Sequence, residues 1–452
     1  MRLSRAISGA AALALVACGG GEANRPATDE RGEPITTAGG SSEVSERAQG
    51  VWTDALALFD AAEGEAGGWT EEACANALAK FREANQVQGG NFTEAIYMMG
   101  VVSGRCRNDD QALEFYRQAL ATNESYCGAR VGVGLGDMRR GDMATARQQF
   151  ERAVEDDNQC TSAYVNLAII QRNQEGMAQE ALNNLRRALA IESDYLPAFN
   201  QMALLYFEQA ARNRQMLDLA EVVCRQAQLI NSEYAPIYNT WGLINVRQGK
   251  IIEALRKFEY AYQLDDRFFE AYMNFGELTL SYRGYADAER VFSRAHELSP
   301  ENYDAMIGLG MALRGLERFD EAEAKYNEAI QLDPQRPEAY YNLALLYHNY
   351  KGGEVPQLRR ATEYFGQFLE RARDRPDFAD AVEGVERRCR KLTGRALRRR
   401  RRRNENASIW AGTCRPGRLQ LIEETIATME AMEEMLQEAG GGGDGGDAGG
   451  DG

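Results

Sequence analysis

Between Tyr238 and Pro334 the chain repeats itself with a period of about 34 residues. Tyr238, Tyr272, Met306 and Tyr340 share one position of the lattice. Trp241, Phe275, Leu309 and Leu343 lie three residues on, followed directly by Gly242, Gly276, Gly310 and Ala344. Later in each period come Ala254, Ala288 and Ala322, then Phe258, Phe292 and Tyr326, then Ala261, Ala295 and Ala329; Pro300 and Pro334 close two periods. Residues three and four apart mark one face of a helix, so each period holds two amphipathic helices. Small residues let two helix backbones approach, and the aromatic between two alanines fills the space they leave. One such hairpin cannot bury its apolar faces alone, so it must stack on its neighbours.

This order of large, Leu, small, Ala, aromatic, Ala and Pro resembles the tetratricopeptide (TPR) repeat. The resemblance implies an all-α TPR solenoid, a right-handed superhelix of helix hairpins, with about nine repeats across residues 49–375. Earlier units begin near Thr93, Cys127, Thr161 and Leu196, the regular ones near Ala235, Phe269 and Tyr303, and the last near Pro337. An irregular first unit carries Trp52, Leu56 and Phe59, an interruption at Gly64–Gly68, and then Ala77, Phe81 and Ala84. Ala181 to Ala220 and Ala322 to Ala361 each exceed the period by about five residues. The extra residues fall between the two helices, near Ala210–Gln215 and Lys351–Pro356. Phe368 replaces the expected alanine, so the last hairpin packs differently, and residues 376–394 read as a capping helix with Phe378, Ala381, Val385 and Leu392 inward.

The first residues read as an address. Arg2 and Arg5 precede a short apolar run, Ala6 to Ala17, which is too short to span a bilayer and fits a secretory signal over residues 1–17. Leu15-Val16-Ala17-Cys18 resembles a bacterial lipobox, which implies cleavage before Cys18, its acylation (palmitate among the chains) and outer-membrane attachment facing the periplasm. Residues 18–48, rich in Gly, Ser, Thr, Pro and charge, read as a flexible, disordered linker.

Net charge is −16, which argues against nucleic acid as a partner. Two histidines, His296 and His348, and the absence of CxxC leave no metal or cofactor set, and no nucleophile–base pair marks an enzyme. Eight cysteines suit an oxidising compartment. Cys224 takes the aromatic core position and reads as a buried free thiol. Cys74 with Cys106, Cys127 with Cys160, and Cys389 with Cys414 are candidate disulfides from their places in successive hairpins and around the arginine run.

TPR proteins are similar to one another in lining a concave groove with their first helices. Carried onto this sequence, that implies a partner groove of Tyr97, Leu135, Asn166, Ile169, Asn200, Leu204, Phe207, Asn239, Leu243, Met273, Asn274, Met311, Tyr341 and Asn342, with Val131, Val165, Leu280, Ile307 and Leu345 beside them. Asn166, Asn274 and Asn342 recur at one position and suit an extended peptide backbone. The lysines of the carboxylate clamp found in chaperone-binding TPRs are missing.

Past the solenoid, residues 395–417 hold the run Arg398, Arg399, Arg400, Arg401, Arg402 and Arg403, which reads either as solvated charge or as a contact for anionic lipid, lipopolysaccharide or an acidic partner. Residues 418–438 carry an apolar stripe through Leu419, Ile422, Ile426, Met429 and Leu436 and read as an amphipathic helix; residues 439–452 are a Gly/Asp tail. The function implied is a lipid-anchored scaffold that binds other envelope proteins. Its architecture resembles the TPR lipoprotein of adventurous gliding motility, and pilus, outer-membrane assembly, polysaccharide-export or glycosyltransferase-accessory, and peptidoglycan- or glycan-binding roles stand as alternatives.

Overall fold

The computed structural model describes residues 44–64, 68–351 and 355–387. Every described regular element is helical, and the helices form consecutive antiparallel hairpins. The chain divides into two compact units at Ala254 and Leu255.

The amino-terminal unit holds the pairs α1 (Glu46–Gly64) and α2 (Glu71–Val87), α3 (Thr93–Arg105) and α4 (Asp109–Thr122), α5 (Cys127–Arg139) and α6 (Met143–Asp156), α7 (Thr161–Arg172) and α8 (Ala178–Ile191), and α9 (Leu196–Gln209) and α10 (Met216–Ile230), then α11 (Ala235–Gln248). Each second helix packs on its own first helix and on the next one, and successive first helices touch. The longer spacing before Ala220 appears as an extended turn between Gln209 and Met216. The helix α12 (Ile251–Leu264) carries the division between units.

The carboxy-terminal unit holds α13 (Phe269–Ser281) with α14 (Tyr285–Leu298), α15 (Tyr303–Gly315) with α16 (Phe319–Leu332), and α17 (Glu338–Asn349) with the longer α18 (Val355–Ala372). Phe368 is fully buried, and its ring lies 5.1 Å from Tyr341 and 6.1 Å from Phe378. The cap starts as a 3-10 turn, Pro376–Phe378, and becomes α-helical only at residues 379–387. Pro376 at its start removes a backbone donor, which suits a tight turn ahead of the helix. Ala381 and Val385 are buried against the last hairpin; Leu392 lies outside the described residues.

Local chemistry explains the punctuation. Thr70, Asn108, Asp142 and Asn302 cap their helices by accepting from the backbone N–H three residues on. Second helices end in a recurring side-chain turn, in which Asn123, Asp157, Asn231, Asp265 and Asp333 each accept from the N–H two residues later. The turn inside the hairpins passes through left-handed φ at Gly141 and Gly249, and also at Arg283 and Glu317.

The core follows one rule. Where a second helix carries an aromatic at the core position, its ring can press on the bare backbone of a glycine in a first helix. A Cβ on Gly100 would stand 2.5 Å from the Tyr116 ring, and one on Gly132 would stand 2.6 Å from the same ring. Gly134 faces Phe150 in the same way, and Gly310 faces Tyr326. Among the described residues two disulfides tie successive hairpins: Cys74 to Cys106 with Cα atoms 6.1 Å apart, and Cys127 to Cys160 at 5.7 Å. Cys224 is buried on α10, outside both disulfides.

Candidate functional site: the first-helix faces

In the amino-terminal unit, Tyr97, Leu135, Asn166, Ile169, Asn200, Phe207 and Asn239 are largely buried, whereas Leu204 and Leu243 are half-exposed. Tyr97 is occupied by the hairpin interior, with its ring 5.7 Å from Tyr116 and 5.3 Å from Tyr126. The Asn166 amide donates to the Ser162 carbonyl one turn back instead of projecting outward. Thr240 donates to the side-chain oxygen of Asn200 at 2.6 Å, which joins α11 to α9. Asn200 thus joins two helices and Asn166 folds back onto its own; a short amide at this depth meets a neighbouring carbonyl or hydroxyl before it meets solvent.

A charged cluster, which periodicity does not reveal, lies on the same helices. The Arg172 side chain is 4% exposed, donates to Gln201 Oε1 at 3.1 Å and faces Glu208 at 3.4 Å. Burial holds the Arg172 guanidinium below its ordinary pKa, partly offset by Glu208. Burial also pushes the Glu208 carboxyl up, against the opposing pull of Arg172 and Arg247. Arg247 stacks over Phe207, 4.3 Å from the ring centroid. The sequence signal was present as three charged residues at the ends of consecutive first helices.

In the carboxy-terminal unit, Met273 and Ile307 are buried, while Asn274, Met311, Tyr341 and Leu345 are half-exposed. Asn342 is spent internally: its amide donates to the Glu338 carbonyl, and its oxygen accepts from Arg314 at 2.9 Å. Glu277 stands on α13 one turn after Met273, half-buried. Desolvation, with the Asp304 charge as the smaller cause, raises its carboxyl from 4.5 to about 7. Other acids near it are neutralised. Asp304 pairs with Arg336 at 2.6 Å, and Arg336 also reaches Glu338 at 2.8 Å.

Among the described residues, no group of three His, Cys, Asp or Glu side chains is arranged to hold a metal ion, and no helix is long and apolar enough to cross a membrane. Several apolar side chains on the second helices α10 and α12 are exposed, Leu229 at 82% and Val222 at 62% among them. Cys18, Cys389, Cys414, Arg398–Arg403 and the 418–438 segment lie outside the described residues.

Residues 310–349 match the family model of the TPR repeat. No curated protein matches the chain. Among solved structures, the APC/C hetero-tetramer Cut9–Hcn1 aligns over 66% of this chain and 55% of its own, with 13% identity and a TM-score of 0.50. A thermophilic TPR protein from Thermus thermophilus is 26% identical over 42% of this chain and 99% of its own, with a TM-score of 0.38. A TPR protein from Parabacteroides merdae is 16% identical over 57% of this chain and 98% of its own, with a TM-score of 0.39.

Proposed function

We propose that this chain is a non-catalytic, lipid-anchored TPR scaffold of the cell envelope, which binds other envelope proteins along its first-helix faces. The observation that carries the binding reading is the set of half-exposed side chains, Leu204, Leu243, Asn274, Met311 and Tyr341, left on those faces after the hairpins have packed. Apolar and amide groups that are neither core nor fully solvated suit a peptide or helix laid across the set within either unit.

The compartment reading rests on the lipobox-like run before Cys18 and on the two disulfides, which persist in oxidising surroundings. Gliding, pilus or export machinery is the context that the resemblance to envelope TPR lipoproteins supports.

Two measurements test the proposal. Mass spectrometry of the mature amino terminus should find diacylglyceryl-Cys18, and Cys18→Ser should release the protein from membranes. In-cell crosslinking should recover a defined set of envelope proteins, and Leu204→Glu, Leu243→Glu and Met311→Glu together should lose it. An unmodified Cys18 removes the anchor, and an unchanged partner set in the triple variant removes the groove.

A further inference from the structure

On α13 of the carboxy-terminal unit, Glu277 is a half-buried carboxylate to which no described residue offers a cation. On α13, Met273, Glu277 and Leu280 share a face, being four and three residues apart. On α15, which packs against α13, Ile307 and Met311 take the same register. Asp304 and Glu338 share Arg336, whereas Glu270, two turns before Glu277 on α13, also has its carboxyl raised by burial and meets no cation among the described residues. Glu277 has neither a hydrogen bond nor an ion pair among the described residues, although burial and, less, the Asp304 charge disfavour its ionised form.

Such a group costs stability unless something complements it. A cation delivered from outside would do so. A Lys or Arg side chain would lay its methylene stem along the half-exposed Met311 and set its charge on the carboxylate, the division between stem and head group that these side chains adopt at half-buried positions. The net charge of −16 would draw basic segments toward the chain.

We propose that Glu277 makes the α13–α15 face selective for a peptide segment that presents a Lys or Arg side chain between apolar residues. The inference rests on the groove reading above and specifies the chemistry of the partner. Glu277 is the selecting group; Met311 is the half-exposed apolar residue of the face, Met273 and Leu280 being buried.

The test starts from a random dodecapeptide library displayed against the full chain. Binders that compete with one another and are lost on Met311→Glu define the face. They should be enriched in Lys or Arg. For one such peptide, replacing the key Lys by norleucine keeps the stem and removes the charge. Fluorescence anisotropy should show affinity falling about tenfold or more on the unaltered protein, and falling little on Glu277→Gln. Glu277→Gln should unfold at no lower temperature than the parent, which excludes a folding defect. Binders without a basic preference, or a norleucine penalty that is equal on both proteins, would overturn the selectivity while leaving the groove intact. A library that yields no binder sensitive to Met311→Glu would overturn both readings.

Discussion

A Cβ built on Gly308 would stand 2.5 Å from Cε1 of Phe292. Gly308 belongs to α15 and Phe292 to α14, so the ring of one hairpin lies against the bare backbone of the next. The other side of the ring is also closed, because a Cβ on Gly276 would stand 2.7 Å from it. Phe292 is 1% exposed and has nowhere to retreat. Gly308→Ala should therefore destabilise despite the better helix propensity of Ala. Overpacking of about 1–3 kcal/mol outweighs a propensity gain of about 1 kcal/mol. Urea unfolding should show a lower midpoint, and hydrogen exchange should speed up first in α13–α16. Unchanged exchange there would mean that the ring is not pinned.

Glu277→Gln should raise stability in a pH-dependent way. The folded-state carboxyl titrates near 7 rather than 4.5, so the native protein holds a proton that the unfolded chain has released. No penalty exists below about pH 4.5. Stability falls between about 4.5 and 7, and the full cost, at most about 3 kcal/mol, persists above that. The gain in melting temperature from Glu277→Gln should be small at pH 4 and largest at pH 8. An equal gain at both pH values would contradict the desolvation argument.

Arg172→Met should be costly alone and much less so with Glu208→Gln. The single variant leaves a half-buried carboxylate with only Arg247 to oppose desolvation. Removing one member of a buried pair costs about 3–5 kcal/mol, and this partly exposed Glu208 places the loss toward or below the low end. Removing Arg172 raises the Glu208 carboxyl further, so the loss should grow as pH rises above about 4.5 and shrink below it. Chemical denaturation of the two singles and the double at pH 4 and 8 gives the coupling.

Replacing both Cys127 and Cys160 by Ser should destabilise the amino-terminal unit by about 2–4 kcal/mol, because the bond closes a loop with a sequence separation of 33. Thiol titration of denatured, unreduced protein should find Cys224 reactive and Cys74, Cys106, Cys127 and Cys160 silent. Reactivity at Cys127 or Cys160 would deny the crosslink.

Arg283→Gly and Glu317→Gly should stabilise. Both residues hold left-handed φ, at 64° and 62°, in the hairpin-turn position that Gly249 occupies with φ 80°. Relief of about 1 kcal/mol of steric cost competes with the larger entropy that Gly carries in the unfolded chain, so each gain should be a few tenths of a kcal/mol. A lower melting temperature would show that the side chains contribute more than the backbone loses.

The sequence by itself determined the unit of construction. The spacing of Ala288, Phe292 and Ala295 on one helix and of Phe275 and Gly276 on another can be satisfied only by a hairpin stacked on its neighbours, so α11, α13 and α15 begin where the lattice places them, at Ala235, Phe269 and Tyr303. The turn role of the recurring Asn or Asp at 123, 157, 231, 265 and 333 came from the structure, where each accepts from the N–H two residues later. Tertiary structure alone decided what each first-helix polar side chain does. Asn166, Asn200 and Asn342 occupy positions that periodicity assigns to a groove, yet their amides bond to Ser162, Thr240 and Glu338. Glu277 and Glu208 look alike as letters, but only Glu208 meets an arginine, Arg172, brought from another hairpin. Periodicity records which way a Cβ points from its own helix. For Asn200, Asn342 and Glu208 the deciding partner, Thr240, Arg314 or Arg172, belongs to another hairpin and becomes a neighbour only when the repeats stack, whereas Asn166 turns back onto its own helix.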